Sequence, residues 1–558
     1  MCKRVLCVLA LAGALEFFPM TVVAQSGQLR LTSTTVLDAA KAAAQGNDAV
    51  IKAVSIDDAV KLALEQNLGI RIQRIDPQIQ DVGIAQARSF WAPTVSSAVN
   101  RNVTNQPSTS IFTPSYNSGT TNANVTMAQT LPWGGNYATG WINQRVTSTN
   151  IFANFTPQIY SNVQFNYTQP LLQNFSIDQI RQQVKNSQKV RDLSDIQLRS
   201  VMSQTVRQVR DAYWDLVYAL NNLKVSQLSL ELSQQFLKDN QRRVEIGTLA
   251  PIDIVQAQAE VASNEAGVIT AEATIKTAQD NLRALVLDPG QADFWNVIFE
   301  PTDEATFAEQ SVDVDSAVRS ALEKRTDILA AKNSLEQSDV NLKFYHNQIM
   351  PQVNLQANYG AISYGGVQLS PVNLTNLGGA LPPRSIISQR GYGSVLGDVF
   401  TNAYPQWTFG VQVGYPLGAS TVQANLARTK LQYEQAQAQI KNIELQVVTQ
   451  VRLAARNVQT NLKLVQSARA SRELQEKKLD AEEKKLAAGM SQSFFVFQAQ
   501  RDLASARVAE IQATANYNKA LVDFQAVQDA PLNGNPPPII TAGTGAIQTG
   551  GAAIVRAQ

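Results

Sequence analysis

Cysteine is nearly absent: the 558 residues contain Cys2 and Cys7 and no others. Both lie in the opening stretch, MCKRVLCVLALAGALEFFPMTVVAQ. Lys3 and Arg4 give it a positive start, Val5 to Leu15 a short apolar core, and Val22-Val23-Ala24 a cleavage site. Residues 1–24 therefore read as a secretory signal peptide, and Glu16 and Pro19 argue against a retained membrane helix. The mature chain is expected to carry no cysteine, which excludes disulfides and thiolate chemistry. Histidine is equally scarce. His346 is the single one, just ahead of Pro351, and it reads as a polar surface residue with no second His or Cys to complete a metal set. No Gly-rich phosphate loop of Walker type occurs, and no serine or acid is grouped into a nucleophile site. The expectation is a chain with no catalytic residues, no metal and no cofactor. Charge is also sparse: 16% of residues are charged and the net charge is +2, which leaves no nucleic-acid footprint. After the signal no run of about 18 apolar residues appears. If the chain enters a membrane, it does so with strands.

What the chain does have is an internal repeat. VSIDDAVKLALEQNLGI (54–70) returns as VDVDSAVRSALEKRTDI (312–328), a shift of 258 that holds to Pro93 and Pro351. VRQVRDA (206–212) returns as VTQVRLA (448–454) at a shift of 242, which Gly247 and Gly489 keep. Repeat 1 spans 54–290 and repeat 2 spans 312–528, after an extension at 25–53 and before a flexible tail at 529–558. Each copy has the same order: a helical stretch (55–91; 313–349), a strand zone (94–170; 352–416) closed by Pro170 or Pro416, a long helical stretch, a turn (246–253; 488–495) and a last helix (252–287; 493–528). At about 1.5 Å per residue the long helix reaches about 105 Å. The two shorter helices sum to nearly its length, so they are expected to stand end to end beside it. Val206, Val209, Tyr213, Leu216, Leu220 and Leu223 form a heptad seam on the long helix, matched by Val448, Val451, Ala455, Val458, Leu462 and Val465. An ordinary two-helix coiled coil would explain one seam. Trp214 and Val217 add a second stripe, which suits a closed cylinder with neighbours on both sides.

The strand zones alternate apolar and polar: VQFNYTQ (163–169), VNLQANY (353–359) and WTFGVQVGY (407–415). Trp407, Tyr415 and Tyr359 lie near strand ends, where an interface belt would put them. Such strands fit a membrane barrel, apolar outside and polar inside. Two strands per copy give four per chain, too few to close, and an open edge cannot face lipid. Several chains must then share one barrel, and three would give twelve strands. NVTMAQTLPWGGNYATGWINQ (within 121–148) reads as an extra hairpin that either joins the strands or projects as a loop. Residues 361–403, rich in Gly and Pro, are expected to be a solvent-facing loop.

This order resembles the TolC-like outer-membrane efflux protein family. The resemblance runs from about residue 54 to 528 and rests on SIDDAVKLALEQN and DVDSAVRSALEKR, the strand exits YTQPLL and GYPLG, and the turns VEIGTLAPIDIVQAQ and AAGMSQSFFVFQAQ. It implies a membrane α+β fold: a homotrimer with a twelve-strand barrel in the outer membrane and a twelve-helix coiled-coil tunnel through the periplasm. It further implies a passive, non-enzymatic exit duct of a tripartite efflux pump or a type I secretion system, exporting small molecules or proteins. The partners would be a periplasmic adaptor, an inner-membrane transporter and outer-membrane lipid. In the family the two turns form the tip where the duct closes and the adaptor docks. Carried over, Gly247, Thr248 and Pro251 with Gly489, Met490 and Ser491 are docking candidates, though the glycines read first as plain turn residues. Family gate aspartates fall at positions that hold Phe495 and Gln498 here, while the first copy holds Asp253 and Gln256. The gate is therefore expected to combine Asp253 and Gln256 with an apolar constriction from Phe494, Phe495 or Phe497, beside Gln498. An acid in a first helical turn also has a dipole reason to be there, and the phenylalanines could instead pack helices. A secreted coiled-coil or adhesin protein without channel activity is the alternative, which would share the heptads but not need the strands.

Overall fold

The computed structural model describes residues 50–108, 114–303, 308–372, 384–415 and 420–532. The expected signal peptide, nearly all of the 25–53 extension, Pro416 and most of the expected tail lie outside the described residues. Contacts divide the chain into Met1–Val50 and Ile51–Gln558, and every described element except the first residue of β1 falls in the second unit.

The first copy opens with strand β1 (Val50–Val54), then α1 (Ile56–Gln66) and α2 (Leu68–Ser89). Ser55 caps α1 by accepting from the Asp58 amide, with Asp57 and Asp58 in the first turn, where the helix dipole favours acids. Strands β2 (Thr94–Gln106), β3 (Tyr116–Thr130), β4 (Asn136–Ser148) and β5 (Phe155–Pro170) follow, then the long helix α3 (Gln179–Glu245) and the returning helix α4 (Ile252–Val286). Strand β6 (Val297–Pro301) pairs with β1 and joins the copies. The second copy holds α5 (Val314–Lys324), α6 (Thr326–Gln348), β7 (Gln352–Leu369), β8 (Ile386–Arg390), a short helix α7 (Tyr392–Phe400), β9 (Pro405–Gly414), the long helix α8 (Thr421–Ala487) and α9 (Ser493–Ala526). Asp178 and Ser420 cap the two long helices in the same way, each accepting an amide of the first turn. At 67 residues each, α3 and α8 are about 100 Å long. No helix among the described residues is long and apolar enough to cross a membrane.

Helix α3 packs against α2 and α4 of its own copy and against α6 and α9 of the other. Its seam residues Val209, Tyr213 and Leu216 are buried with Ala59 and Ala63 of α1 and with Leu282 and Val286 of α4. Val217 is buried too and Trp214 packs on the same cluster, so both stripes have partners. In the second copy Val447, Val451 and Ala454 pack against Ala317, Ala321 and Ile328, while Val458 and Val465 meet Tyr517 and Ala520. A simple two-helix coiled coil would leave one stripe of α3 bare.

The opening helix of each copy is broken, where the sequence reads as one continuous helix. The breaks fall at equivalent positions, Asn67 and Arg325, both in extended-type backbone. Asn67 caps α2 by accepting from the Ile70 amide and donates to the Leu285 carbonyl at 2.8 Å. Arg325 is fully buried, pairs with Asp327 at 3.0 Å, and donates to the Val527 carbonyl and to Gln450. Leu285 and Val527 are themselves repeat equivalents, at the C-terminal ends of α4 and α9. Each break thus pins the opening helix to the end of the helix that returns from the turn, an arrangement carried by side chains that look unremarkable in a helical sequence.

The larger sheet runs β2-β3-β4-β5-β7, with β9 paired to one half of β7 and β8 to the other. Every pairing is antiparallel. The expectation of two strands per copy undercounts the first copy, because the LPWGG hairpin lies in the sheet between β2 and β5. Four strands per chain do not describe this sheet. The expected loop at 361–403 is also corrected: β7 continues to Leu369, and β8 and α7 follow. Gly-rich text hid them because glycine is needed there for close approach. A Cβ on Gly365 would come within 2.3 Å of Val395 of α7.

Half-buried acids give the helices a pH response. Asp211 of α3 sits by Arg207 and Asp523 of α9, and its pKa is pushed up to about 7, by burial first and by Asp523 second, against Arg207 and Lys519. An acid whose folded pKa is raised adds stability below its unfolded value, and that is lost as pH climbs toward about 7. Asp211→Asn should therefore raise the melting temperature at pH 8 and change it little at pH 4. Separately, Arg325→Met should cost about 3 kcal/mol by leaving the half-buried Asp327 carboxylate without its cation. Arg325→Met with Asp327→Leu should recover much of that loss in the same thermal melts.

Candidate functional site

Both turns that interrupt the helical text have one geometry. Gly247 has φ +77° and Gly489 φ +72°, the left-handed region that glycine enters at least cost. After α3 the Gly247 amide donates to Val244 and the Thr248 amide to Arg243. After α8 the Gly489 amide donates to Leu486 and the Met490 amide to Lys485. These are two Schellman motifs, each satisfying carbonyls that the helix end leaves open. The Thr248 hydroxyl donates back to the Arg243 carbonyl at 2.9 Å, so it closes the preceding helix rather than starting the next. Pro251 stands at the N-cap of α4, with no side-chain cap of its own. Ser491 ties its turn to α8 by donating to Glu482 at 2.9 Å.

The two turns lie side by side. Arg501 of α9 reaches Glu260 of α4 at 3.8 Å, a pair nearly equidistant from the two turns. Phe497 of α9 is buried edge-on against Phe236 of α3, centroids 4.5 Å apart. That settles one of the three phenylalanines: Phe497 packs helices and is unavailable as a constriction. Phe494 and Phe495 are about half exposed, their rings 5.6 Å apart. Asp253 lies partly exposed in the first turn of α4, with Gln256 exposed one turn on and Gln498 exposed on α9. Met490 is 75% exposed.

Sequence reasoning passed over Ile246, Ile252 and Val255, which are exposed beside Asp253. The repeat shift of 242 would have found one of them, since it carries Phe494 onto Ile252. Each turn therefore shows apolar side chains to its surroundings, and the first adds an acid. The copies differ just above the turns. Arg472 of α8 pairs with Glu510 and Glu476, Arg507 with Glu476, and Lys478 with Asp502, binding α8 to α9 by charge. Hydrogen bonds, first from Arg507, hold the Glu476 carboxyl below its ordinary pKa.

At the other end of the helices the sheet has two unlike faces. Cross-strand register places Val99, Val125, Trp141, Val163, Phe165, Tyr359, Trp407, Phe409 and Val411 on one face. The opposite face carries amides and hydroxyls that bond across strands: Ser96 with Thr126, Asn122 with Asn100, Gln356 with Gln412. In β2, β3, β4, β5, β7 and β9 the only charged residues are Arg101 and Arg145, which flank Thr121 on the apolar face. The polar face is uncharged. Where the apolar face turns polar, at Asn143, Ser161 and Ser363, helix α7 covers it: Asp398 accepts from Ser363 at 2.8 Å and Tyr392 donates to Asn143 at 3.0 Å. Among the described residues no cluster of His, Cys, Asp and Glu could hold a metal.

A Cβ added at Gly247 or Gly489 meets nothing within 4 Å. Alanine at either should therefore cost only the backbone term of about 1–2 kcal/mol. Hydrogen exchange should show the last turns of α3 or α8 loosened and the remaining helix unchanged.

No curated protein matches this sequence. Several solved structures share its fold. A membrane protein from Pseudomonas aeruginosa superposes with a TM-score of 0.60 at 16% identity, over 87% of this chain and 95% of its own. The VceC outer membrane protein of Vibrio cholerae gives 0.59 at 14%, over 86% and 96%. The MtrE outer membrane channel of Neisseria gonorrhoeae, in its open state, gives 0.58 at 16%, over 86% and 89%. The family model described as outer membrane efflux protein matches residues 137–286 and 317–527, both halves of the repeat. The chain belongs to the outer membrane efflux protein family.

Proposed function

We propose that this protein is the passive exit duct of an export assembly, a homotrimer whose sheets share one barrel in the outer membrane and whose helices line a periplasmic tunnel. The observation that carries this reading is the two-faced sheet with open edges, joined to helices about 100 Å long that have neighbours on two sides. Apolar side chains face lipid, and the neutral amide face lines the passage. Transport energy comes from an inner-membrane transporter, reached through a periplasmic adaptor that docks on the exposed apolar turns around Gly247 and Gly489. A tripartite efflux pump and a type I secretion system both use such a duct, and genes beside this one would separate them. A secreted adhesin accounts for the helices but gives no reason for the sheet.

The entrance lies at the turns. Asp253 and Gln256 on α4 and Phe494, Phe495 and Gln498 on α9 are partly or largely exposed there, and three-fold repetition turns each into a ring. An acidic ring beside a phenylalanine ring is a narrow, partly dewetting constriction. Purified in detergent, the protein should have the mass of a trimer and form channels in planar bilayers. Asp253→Ala and Phe495→Ala should each raise single-channel conductance several-fold. Conductance unchanged in both would remove the gate from these residues, and a water-soluble monomer would remove the duct altogether.

A further inference from the structure

The hairpin β3–β4 is part of the sheet itself. β2 pairs with β3 from Thr94↔Ala128 to Gln106↔Tyr116, β3 with β4 from Thr130↔Asn136 to Ser118↔Ser148, and β4 with β5 from Asn136↔Thr168 to Val146↔Gln158. These ladders have no slip, and they separate β2 from β5 by two full strands. The hairpin's turn is also anchored. Gly134 has φ +93°, and a Cβ there would lie 2.8 Å from the Asn174 carbonyl and 2.7 Å from Arg181, at the junction leading into α3. Gln129 donates to the Trp91 carbonyl at 2.8 Å, at the junction leaving α2. A projecting loop or a plug would have neither tie.

We propose that this hairpin widens the shared barrel, so that three copies close eighteen strands with β9 of one copy pairing to β2 of the next. The proposal rests on the trimeric duct. Each chain brings six long strands, β2, β3, β4, β5, β7 and β9, whose directions alternate along the sheet. β9 therefore runs opposite to β2, and a second copy of this chain continues the antiparallel order without a break. The two free edges match in other ways. Every residue of β2 and most of β9 are exposed, and both show apolar residues on the same face of the sheet: Val95, Val99 and Val103 on β2, Trp407, Phe409, Val411 and Val413 on β9. Lipid leaves neither edge an alternative to pairing, since unpaired backbone groups there cost several kcal/mol each. Barrel diameter grows roughly linearly with strand number, so the wall is about half again as wide as one of twelve strands. Barrels of about 16–18 strands leave an open aqueous channel. With an uncharged amide lining, this passage suits bulky solutes of either charge.

Double cysteines test the wall, since the chain has no cysteine beyond Cys7. Ala138→Cys with Asn166→Cys joins directly opposed positions of β4 and β5. Ala98→Cys with Asn162→Cys lies three strand spacings apart, about 14 Å, beyond disulfide reach. In membrane-inserted trimers the first pair should oxidise and the second should not. Val99→Cys with Val411→Cys and a short bismaleimide should yield covalently linked trimers. A disulfide between positions 98 and 162 in an intact trimer would put β2 beside β5 and overturn the eighteen strands while leaving the duct standing. Native mass spectrometry showing no trimer would overturn both. Strands counted in an electron cryomicroscopy map of the nanodisc-embedded protein give eighteen or refute it without any substitution.

Discussion

A helix about 100 Å long with an apolar seam along it cannot hide that seam in any single globular core. Everything in the helical part follows from this. The seam of α3 is covered over one half by α1 and α2 and over the other by α4, and α8 is served likewise by α5, α6 and α9. Two helices that stand end to end must be held at a common level, and the breaks at Asn67 and Arg325 do this by reaching the ends of the returning helices. Helix α3 also packs against α6 and α9 of the other copy, which ties the repeats into one body.

The sheet answers a different demand. Strands satisfy their backbone groups only through neighbours, and a sheet with an apolar outer face has no water to fall back on. Within the chain that demand is met from β2 to β9, and α7 meets it locally where Asn143, Ser161 and Ser363 interrupt the apolar face. It is left unmet at the two edges. The two parts solve opposite problems: the helices close on side chains and end in turns with exposed apolar tips, while the sheet of one chain is left with two open edges.

Legibility differed by element, for physical reasons. The long helices, the two glycine turns and the alternating strands were plain because each is written in local periodicity or in a φ that only glycine adopts cheaply. The repeat made them plainer still. The breaks at Asn67 and Arg325 were not visible, because asparagine and arginine are tolerated in helices and only a distant carbonyl makes them pins. Helix α7 was hidden in Gly- and Pro-rich text, where glycine served close packing instead of a loop. At the turns, Phe495 and Phe497 are two residues apart with the same side chain. One is exposed and the other sits on Phe236, a distinction that depends on a helix more than two hundred residues away.

By itself the sequence determined the order of elements, the duplication, the two faces of each strand and the family, because periods of two and 3.6 and a self-alignment need no partner to be read. It determined the turn geometry as well, through Gly247 and Gly489. Tertiary structure alone decided how many strands stand between β2 and β5, which phenylalanine is free, and where the buried arginine finds its partners. Those are matters of who sits beside whom. A hairpin has the same local pattern whether it joins a sheet or projects from it, and only the hydrogen bonds to β2 and β5 distinguish the two.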